Sequence, residues 1–354
     1  APSQMHFGLF PETTQKYLSS FRKKYQYGDI IQKIKDLSRL NVLVIGDAII
    51  DEYHYSNPLG PSGKGSHLSV QYVKSEQFAG GSLAVANHLA AFSNSVTLVT
   101  GLGKKDNRET FIRSKLKSNI NPLFHYFEDA PTVVKRRYVD FDLIKLFEVY
   151  FYNDEPSQEN LNQSICPWLM KNVEDFDIVF VPDFGNGFIS QAIIKELCEH
   201  ARFLAVNTQV NSGNRGYHAI SRYPRADFIC VNEVELRMTT HNRHDPVDEL
   251  AKKVANKLKA RFLGVTQGTQ GAFILDHNHD HSFRAPVLST KVLDRIGAGD
   301  TFLSIAGLCL GGGLSPEIAT FAGSASAALD VQIVCNRETI EPHNLYSYIT
   351  TLLK

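Results

Sequence analysis

The sequence predicts an α/β fold: a doubly wound, mostly parallel sheet flanked by helices, with a small β-sheet lid. Three observations carry that prediction. From residue 41 onward, short strand-like runs alternate with amphipathic helix-like runs, the pattern that covers both faces of a parallel sheet. Glycines and acidic residues fall where the strand-like runs end, at Gly46-Asp47, Gly101, Asp183, Asn232-Glu233 and Gly268, and open α/β sheets bind ligands at those ends. Two segments, near 52–78 and 131–153, alternate like strands without intervening helices, and these are read as a lid over the cleft.

The elements follow in order. Residues 1–40 stand apart: TTQKYLSSFRKKYQ and DIIQKIKDLSRL read as two helices, the second with Ile30, Ile31, Ile34, Leu37 and Leu40 at helical spacing. Asn41 to Ile45 is an apolar, β-rich run expected to be a buried parallel strand at the start of a single domain over 41–354. SVTLVTGLG, DIVFVPDF, RFLAVNT, DFICVNE, RFLGVTQG and GAFILD are the further strands. GSLAVANHLAAF, SQAIIKELCEHA and VDELAKKVANKLKA are helices between them.

Composition narrows the function classes. Lys+Arg and Asp+Glu both number 37, so the formal net charge is +0 and no global field gathers nucleic acid or an anionic membrane. No apolar run is long enough to span a bilayer, and APSQMHFGLF lacks the basic start and apolar core of a signal peptide. The five cysteines are scattered, odd in number and mostly set in apolar runs, as expected of reduced thiols in a cytoplasmic protein.

The stretch richest in chemistry is DRIGAGDTFLSIAGLCL, Asp294 to Leu310. Gly297, Ala298 and Gly299 have almost no side chain, so a phosphate can approach their backbone. They open an apolar helix, whose first N–H groups lack internal partners and sit at the positive end of the dipole. Asp300 repels phosphate; its place there suits a general base that takes the proton from an attacking hydroxyl. The chemistry expected is phosphoryl transfer.

GAGDTF at this depth resembles the C-terminal signature of the ribokinase-like (PfkB) carbohydrate kinases. The likeness runs from about Asn41 to Ile349 and is strongest to the kinase domain of bacterial heptose 7-phosphate kinases. It implies Asp300 as base and the backbone of Ala298, Gly299 and Asp300 as an anion hole. VIGDAIIDEY resembles the family's opening strand and implies Asp51 as the acceptor of sugar hydroxyls. A turn or cap role is the alternative. FAGGSLAVANHLAAF resembles the di-glycine segment, with Gly80 and Gly81 backing the sugar. It departs from the family in placing Ala84 where an Asn is usual, with Asn87 one turn on. Lys135 and Arg137 share one face of a basic lid strand, and the resemblance implies a sugar phosphate there; a solvated lid face is the alternative. Asp183 completes the expected substrate-binding set.

VNEVE resembles the family's Asn-x-x-Glu motif, which implies that Asn232 and Glu235 position Mg²⁺ through water, with Asn232 also near the nucleotide. VTQGTQGAF implies ATP contacts at Thr266, Gly268 and Gly271. FAGSASAALDVQIVCNRETIEP implies an adenine wall including Ser324, or equally a close helix contact. A monovalent cation is a further implied cofactor. AVNTQVNSG departs by carrying Asn207 at a position usually acidic. DHNHDH, Asp276 to His281, and HNRHD read as solvated loops rather than metal clusters. The resemblance implies a homodimer through the lid. FPETTQKYLSSFRKKY reads either as a helical arm or as the tail of a fused nucleotidyltransferase domain.

The expected function is ATP-dependent phosphorylation of a sugar or sugar-phosphate hydroxyl. The alternatives are a catalytically weak sugar- or nucleotide-binding module and a nucleoside kinase of the same fold.

Overall fold

A computed structural model of the chain describes residues 10–214 and 216–354. The reading of the N-terminus as free of a signal peptide concerns residues 1–9, which lie outside those described.

Helices α1 (Glu12–Lys24) and α2 (Tyr27–Lys35) lead into strand β1 (Asn41–Pro61). Then come β2 (Leu68–Gly81), α3 (Ser82–Ala90), β3 (Ser95–Gly103), α4 (Glu109–Lys115), β4 (Ile120–Phe127), β5 (Val133–Val139), β6 (Lys145–Phe151) and α5 (Glu159–Asn172). The middle of the chain gives β7 (Ile178–Asp183), α6 (Gln191–His200), β8 (Leu204–Thr208), β9 (Phe228–Asn232), α7 (Glu233–Thr240) and α8 (Val247–Lys257). The C-terminal part gives β10 (Phe262–Thr266), β11 (Ala272–Asp276), β12 (His281–Ala285), α9 (Ala298–Gly311), α10 (Pro316–Asp330) and α11 (Pro342–Leu353).

The main sheet has the order β12-β11-β10-β9-β8-β7-β1-β3-β4. It is parallel except where β11 pairs antiparallel with β10 and β12. Strand period explains the two-sided core. Along β1, Val42 and Val44 face one layer with α3, α9 and α10, while Leu43 and Ile45 face the other with α5, α6 and α8. Each fully buried aliphatic side chain of this kind contributes roughly 1.5–3 kcal/mol. Residues 10–40 join the first layer: Phe21 stacks on Phe321 of α10 with ring centroids 4.4 Å apart, and Arg22 donates to the Leu352 carbonyl at 3.1 Å.

β1 is long because it serves two sheets. Its first half pairs with β3 and β7; past Asp47 it pairs antiparallel with β2 and parallel with β5, and β6 closes the edge. The segments at 52–78 and 131–153 therefore contribute a four-stranded lid, β2-β1-β5-β6, continuous with the main sheet. Register carries the polarity. Asp51 pairs with Lys135 and Tyr53 with Arg137, so these four face the cleft side, while Glu52 and Arg136 lie on the opposite face, where Glu52 is buried against Arg136 and Gln77.

Four helices, α4, α5, α7 and α11, were not expected from the sequence. α4 and α7 are short, and α5 carries Pro167 inside it, which hides its periodicity. Asp276–His281 forms a hairpin turn in which His279 Nδ1 meets Asp276 Oδ2 at 2.8 Å. Among the described residues, the three-residue groups spaced to hold a metal number one, Glu196, Glu199 and His200 on the surface of α6. The described part contains no helix long and apolar enough to cross a membrane. All five cysteines are free.

Candidate active site

A cleft of about 540 Å³ runs along the carboxyl ends of the main strands beneath the lid. At one end stand Asp51, Lys135 and Arg137; at the other, Thr266, Gly268 and Ser324; Asp300 and its turn lie between them.

At the lid end, β1 carries Asp51 in, only 4% exposed. Gly80 lies so near that a Cβ there would strike Asp51 Oδ2. Gly81, with φ +59°, is the residue of the pair that lines the cleft. The di-glycine thus lets β2 pass over the carboxylate; Gly80 makes room for Asp51 rather than lining the cleft itself. Arg137 donates to Asp51 Oδ1 and, at 2.9 Å, to Glu148 Oε1. Its Nε and Nη1 are thus committed to two carboxylates. Lys135 differs. It is buried, its Nζ lies 5.6 Å from the ring centroids of both Tyr150 and Phe184, and it pairs with no carboxylate among the described residues. Burial lowers its pKa, with Asp51 pulling it back up.

One sequence expectation is corrected here. Asp183 does not line the cleft. It is 1% exposed and accepts from Tyr223 Oη at 2.6 Å, with His218 Nε2 at 2.7 Å and Arg222 at 3.3 Å. A carboxylate at a strand end was drawn into a buried ionic cluster because such a charge needs partners once out of water. The amide of Asn87 is likewise engaged elsewhere, donating to the Lys115 carbonyl and accepting from Lys117 N, each at 3.0 Å. The polar contact absent at Ala84 is therefore not resupplied by Asn87. Asn207 does line the cleft; its Nδ2 donates to the Cys230 carbonyl at 2.8 Å, and its Oδ1 is buried without a partner.

At the centre, Gly297 has φ +101° and caps α9, which begins at Ala298. Thr301 N donates to the Gly297 carbonyl at 2.9 Å, and the N–H groups of Ala298, Gly299 and Asp300 have no backbone acceptor. A Cβ on Gly299 would meet nothing within 4 Å, so packing does not demand glycine there. The open space suits a ligand. Asp300 is buried in the third turn position, where Gln209 Nε2 donates to its Oδ1 at 2.9 Å. Burial first, and the negative charge of Asp51 second, push its pKa up to about 7; Lys135 pulls it down.

Beside this turn is a feature the sequence did not flag. Both carboxylate oxygens of Asp330 and the Oδ1 of Asn336 are buried without hydrogen bonds. The neighbouring Thr301 hydroxyl is engaged by His88 Nε2 at 3.2 Å. Burial raises Asp330 to about 8 against the lowering pull of the adjacent Thr301 hydroxyl, with the like charges of Asp300 and Asp294 adding to the rise.

At the far end, Asn232 and Glu235 form a capping box on α7. Asn232 Oδ1 accepts from Glu235 N and Glu235 Oε2 from Asn232 N, each at 2.8 Å, and Glu235 Oε1 accepts from Val210 N at 3.1 Å. Both still line the cleft, with direct contacts already made to the backbone. Gly268 and Gly271, at φ +56° and +88°, turn β10 into β11, and a Cβ on Gly271 would run into the Ala285 carbonyl. Gly268 has open space around it. Ser324 Oγ, on α10, is buried without a partner in this wall.

Comparison with known proteins bears on this arrangement. Residues 39–340 match the family described as pfkB family carbohydrate kinase. Curated relatives include the bifunctional protein HldE of Shewanella amazonensis, 27% identical over 301 residues, 82% of this chain and 60% of that protein. The HldE of Nitrobacter hamburgensis is 26% identical over 298 residues, with the same 82% and 60% coverage. The chain thus spans about 60% of the length of these relatives. Among solved structures, a putative ribokinase from Agrobacterium tumefaciens is similar with TM-score 0.71 at 17% identity, covering 89% of this chain and 99% of its own. Escherichia coli phosphofructokinase-2 in complex with substrates and products gives 0.71 at 15%, covering 89% and 100%.

Proposed function

The chain belongs to the pfkB family of carbohydrate kinases and is an ATP-dependent sugar kinase, and on that premise we propose that its acceptor is a phosphorylated sugar activated by Asp300. The observation that carries the substrate class is Lys135. A buried ammonium without a carboxylate partner is unfavourable until an anion reaches it, and this one faces the cleft beside Asp51. Arg137, by contrast, holds Asp51 in place through its own pair. The heptose phosphate that the sequence resemblance implies has the required chemistry: hydroxyls for Asp51 and an anionic group for Lys135.

The reaction follows from the central turn. The acceptor hydroxyl gives its proton to the carboxylate oxygen of Asp300 that Gln209 does not hold. Its oxygen bonds to the terminal phosphorus of ATP as the bond to the ADP oxygen breaks. The free N–H groups of Ala298, Gly299 and Asp300 face the charge that builds on the transferred group. Ser324, with its unpartnered hydroxyl, and the open space at Gly268 receive the nucleotide. Mg²⁺, when bound, neutralises phosphate charge; Asn232 and Glu235, their direct contacts filled by the capping box, would hold it through water. The unpaired oxygens of Asp330 and Asn336 are an oxygen-only donor set that fits a monovalent cation, whose charge would reinforce the Gly297 turn.

Lys135→Met is expected to lower kcat/KM for phosphorylated sugars roughly 10- to 100-fold, and to change it little for unphosphorylated ones. ADP release across hexose 6-phosphates, heptose 7-phosphates and the matching free sugars measures this. An equal loss on both groups would sink the anionic-substrate reading, and no ADP release with any acceptor would favour a binding module.

The lid's outer face supports a homodimer. Phe147, Val149 and Phe151 of β6 alternate outward and are exposed, with Tyr72 of β2 also exposed. Val149→Glu is expected to convert a dimer to a monomer in sedimentation or light scattering. A wild-type chain that is monomeric at micromolar concentration would refute the interface.

A further inference from the structure

We infer that Gln209 is a positioning residue for the proton acceptor: its side-chain amide holds one oxygen of Asp300 and leaves the other for the substrate hydroxyl. The inference rests on the reading of Asp300 as the base.

Gln209 immediately follows β8 and is anchored at both backbone polar groups. Its N–H donates to the Asp183 carbonyl at 3.0 Å, and its carbonyl accepts from Asn214 Nδ2 at 2.7 Å. Asn214 is in turn tied to Asn211, with N–H to Oδ1 contacts of 3.1 Å in both directions. The next residue, Val210, is bound through its N–H to Glu235 on α7. A backbone held this firmly fixes where the side chain starts, and the amide reaches Asp300 Oδ1 at 2.9 Å.

Among the described residues Gln209 supplies the only side-chain hydrogen bond to that carboxylate. Asp51, Lys135 and Glu235 act on Asp300 through their charges. A carboxylate on a helix's first turn has two rotatable torsions, and a proton acceptor must hold its geometry to within a fraction of an ångström. The chemical type of the partner matters as well. A lysine or arginine here would form an ion pair and weaken the base. A neutral amide donates one N–H, orients the group and leaves its charge available. The buried Asp183 cluster thereby acquires a connection to the reaction, because the Asp183 carbonyl anchors the residue that holds the base.

The test uses the full chain, ATP and the best acceptor from the panel of hexose and heptose phosphates. Gln209→Leu removes the donor; Gln209→Glu keeps the shape and reverses the donor into an acceptor. The expected result is a roughly 10- to 100-fold fall in kcat for Gln209→Leu and a larger fall for Gln209→Glu. KM for both substrates and the melting temperature should stay near wild type in both. A role in shape alone predicts the opposite order, since Glu is the nearer isostere. Wild-type kcat in Gln209→Leu, a milder defect in Gln209→Glu, or losses that track KM and melting temperature would each overturn the proposal. Asp300→Asn, run alongside, separates the two readings: if it is inactive while Gln209→Leu is normal, only the positioning role falls; if it turns over normally, the base assignment falls.

Discussion

Asp300→Asn should lower kcat by about 10²–10⁴-fold while leaving ATP affinity nearly intact. Asn keeps the shape, and its Oδ1 can still accept from Gln209 Nε2, but it cannot take a proton. The same carboxylate fixes the pH profile of the wild type. Only ionised Asp300 accepts the hydroxyl proton, and its pKa is raised to about 7 by burial and by Asp51. Activity should therefore rise with pH through an acid limb near that value, not near the ordinary carboxylate range. The neighbours give the sign of further shifts. Asp51 raises the pKa, so Asp51→Asn should move the limb to lower pH in whatever activity remains. Lys135 lowers it, so Lys135→Met should move the limb upward. Steady-state kcat/KM measured from about pH 3 to 9 follows all three. A limb near pH 4 in the wild type would mean that the free enzyme's essential base lies elsewhere.

Gly297→Ala should be nearly as damaging, for a reason of backbone rather than charge. Gly297 has φ +101°, where an L side chain is strained by roughly 1–2 kcal/mol. Its Cβ would also lie 2.9 Å from Asn336 Oδ1 and 3.0 Å from Asp330 Oδ2. Relief requires the turn to move, and the amides of Ala298 to Asp300 move with it. Misaligning such a donor set costs on the order of 10²–10³ in kcat. Gly299→Ala is the informative contrast. Nothing surrounds that position, so the fold should tolerate the methyl group while the methyl blocks the approach of phosphate. The expected pattern is lost turnover with lowered melting temperature for Gly297→Ala, and lost turnover with an unchanged melting temperature for Gly299→Ala. Equal and normal turnover in both would show that the turn does not meet the transferred group.

The two kinds of residue in this cleft differ in how far they were legible. The strand–helix alternation, the lid segments and the Gly-Ala-Gly-Asp turn are local patterns. Their periodicity and small side chains are written over a few consecutive residues, and those residues line one cleft in the fold. Asp183 misled for the same reason in reverse. It occupies a strand end where a carboxylate reads as functional, and it is taken up by partners distant in sequence, His218, Arg222 and Tyr223. Asn232 and Glu235 show the overlap of the two cases, since a capping box and a cleft-lining pair are the same residues.

The layered α/β architecture, the lid and a carboxylate at the tip of an apolar helix are all legible in patterns within single elements. Which groups meet that carboxylate depends on the folded arrangement. Gln209 comes from 91 positions away, Lys135 and Asp51 from the lid, and Asp330 from the following helix. The physical reason is that an acid's strength and orientation depend on burial and on charges within a few ångströms, and those neighbours become adjacent only when the sheet, its helices and the lid close around them.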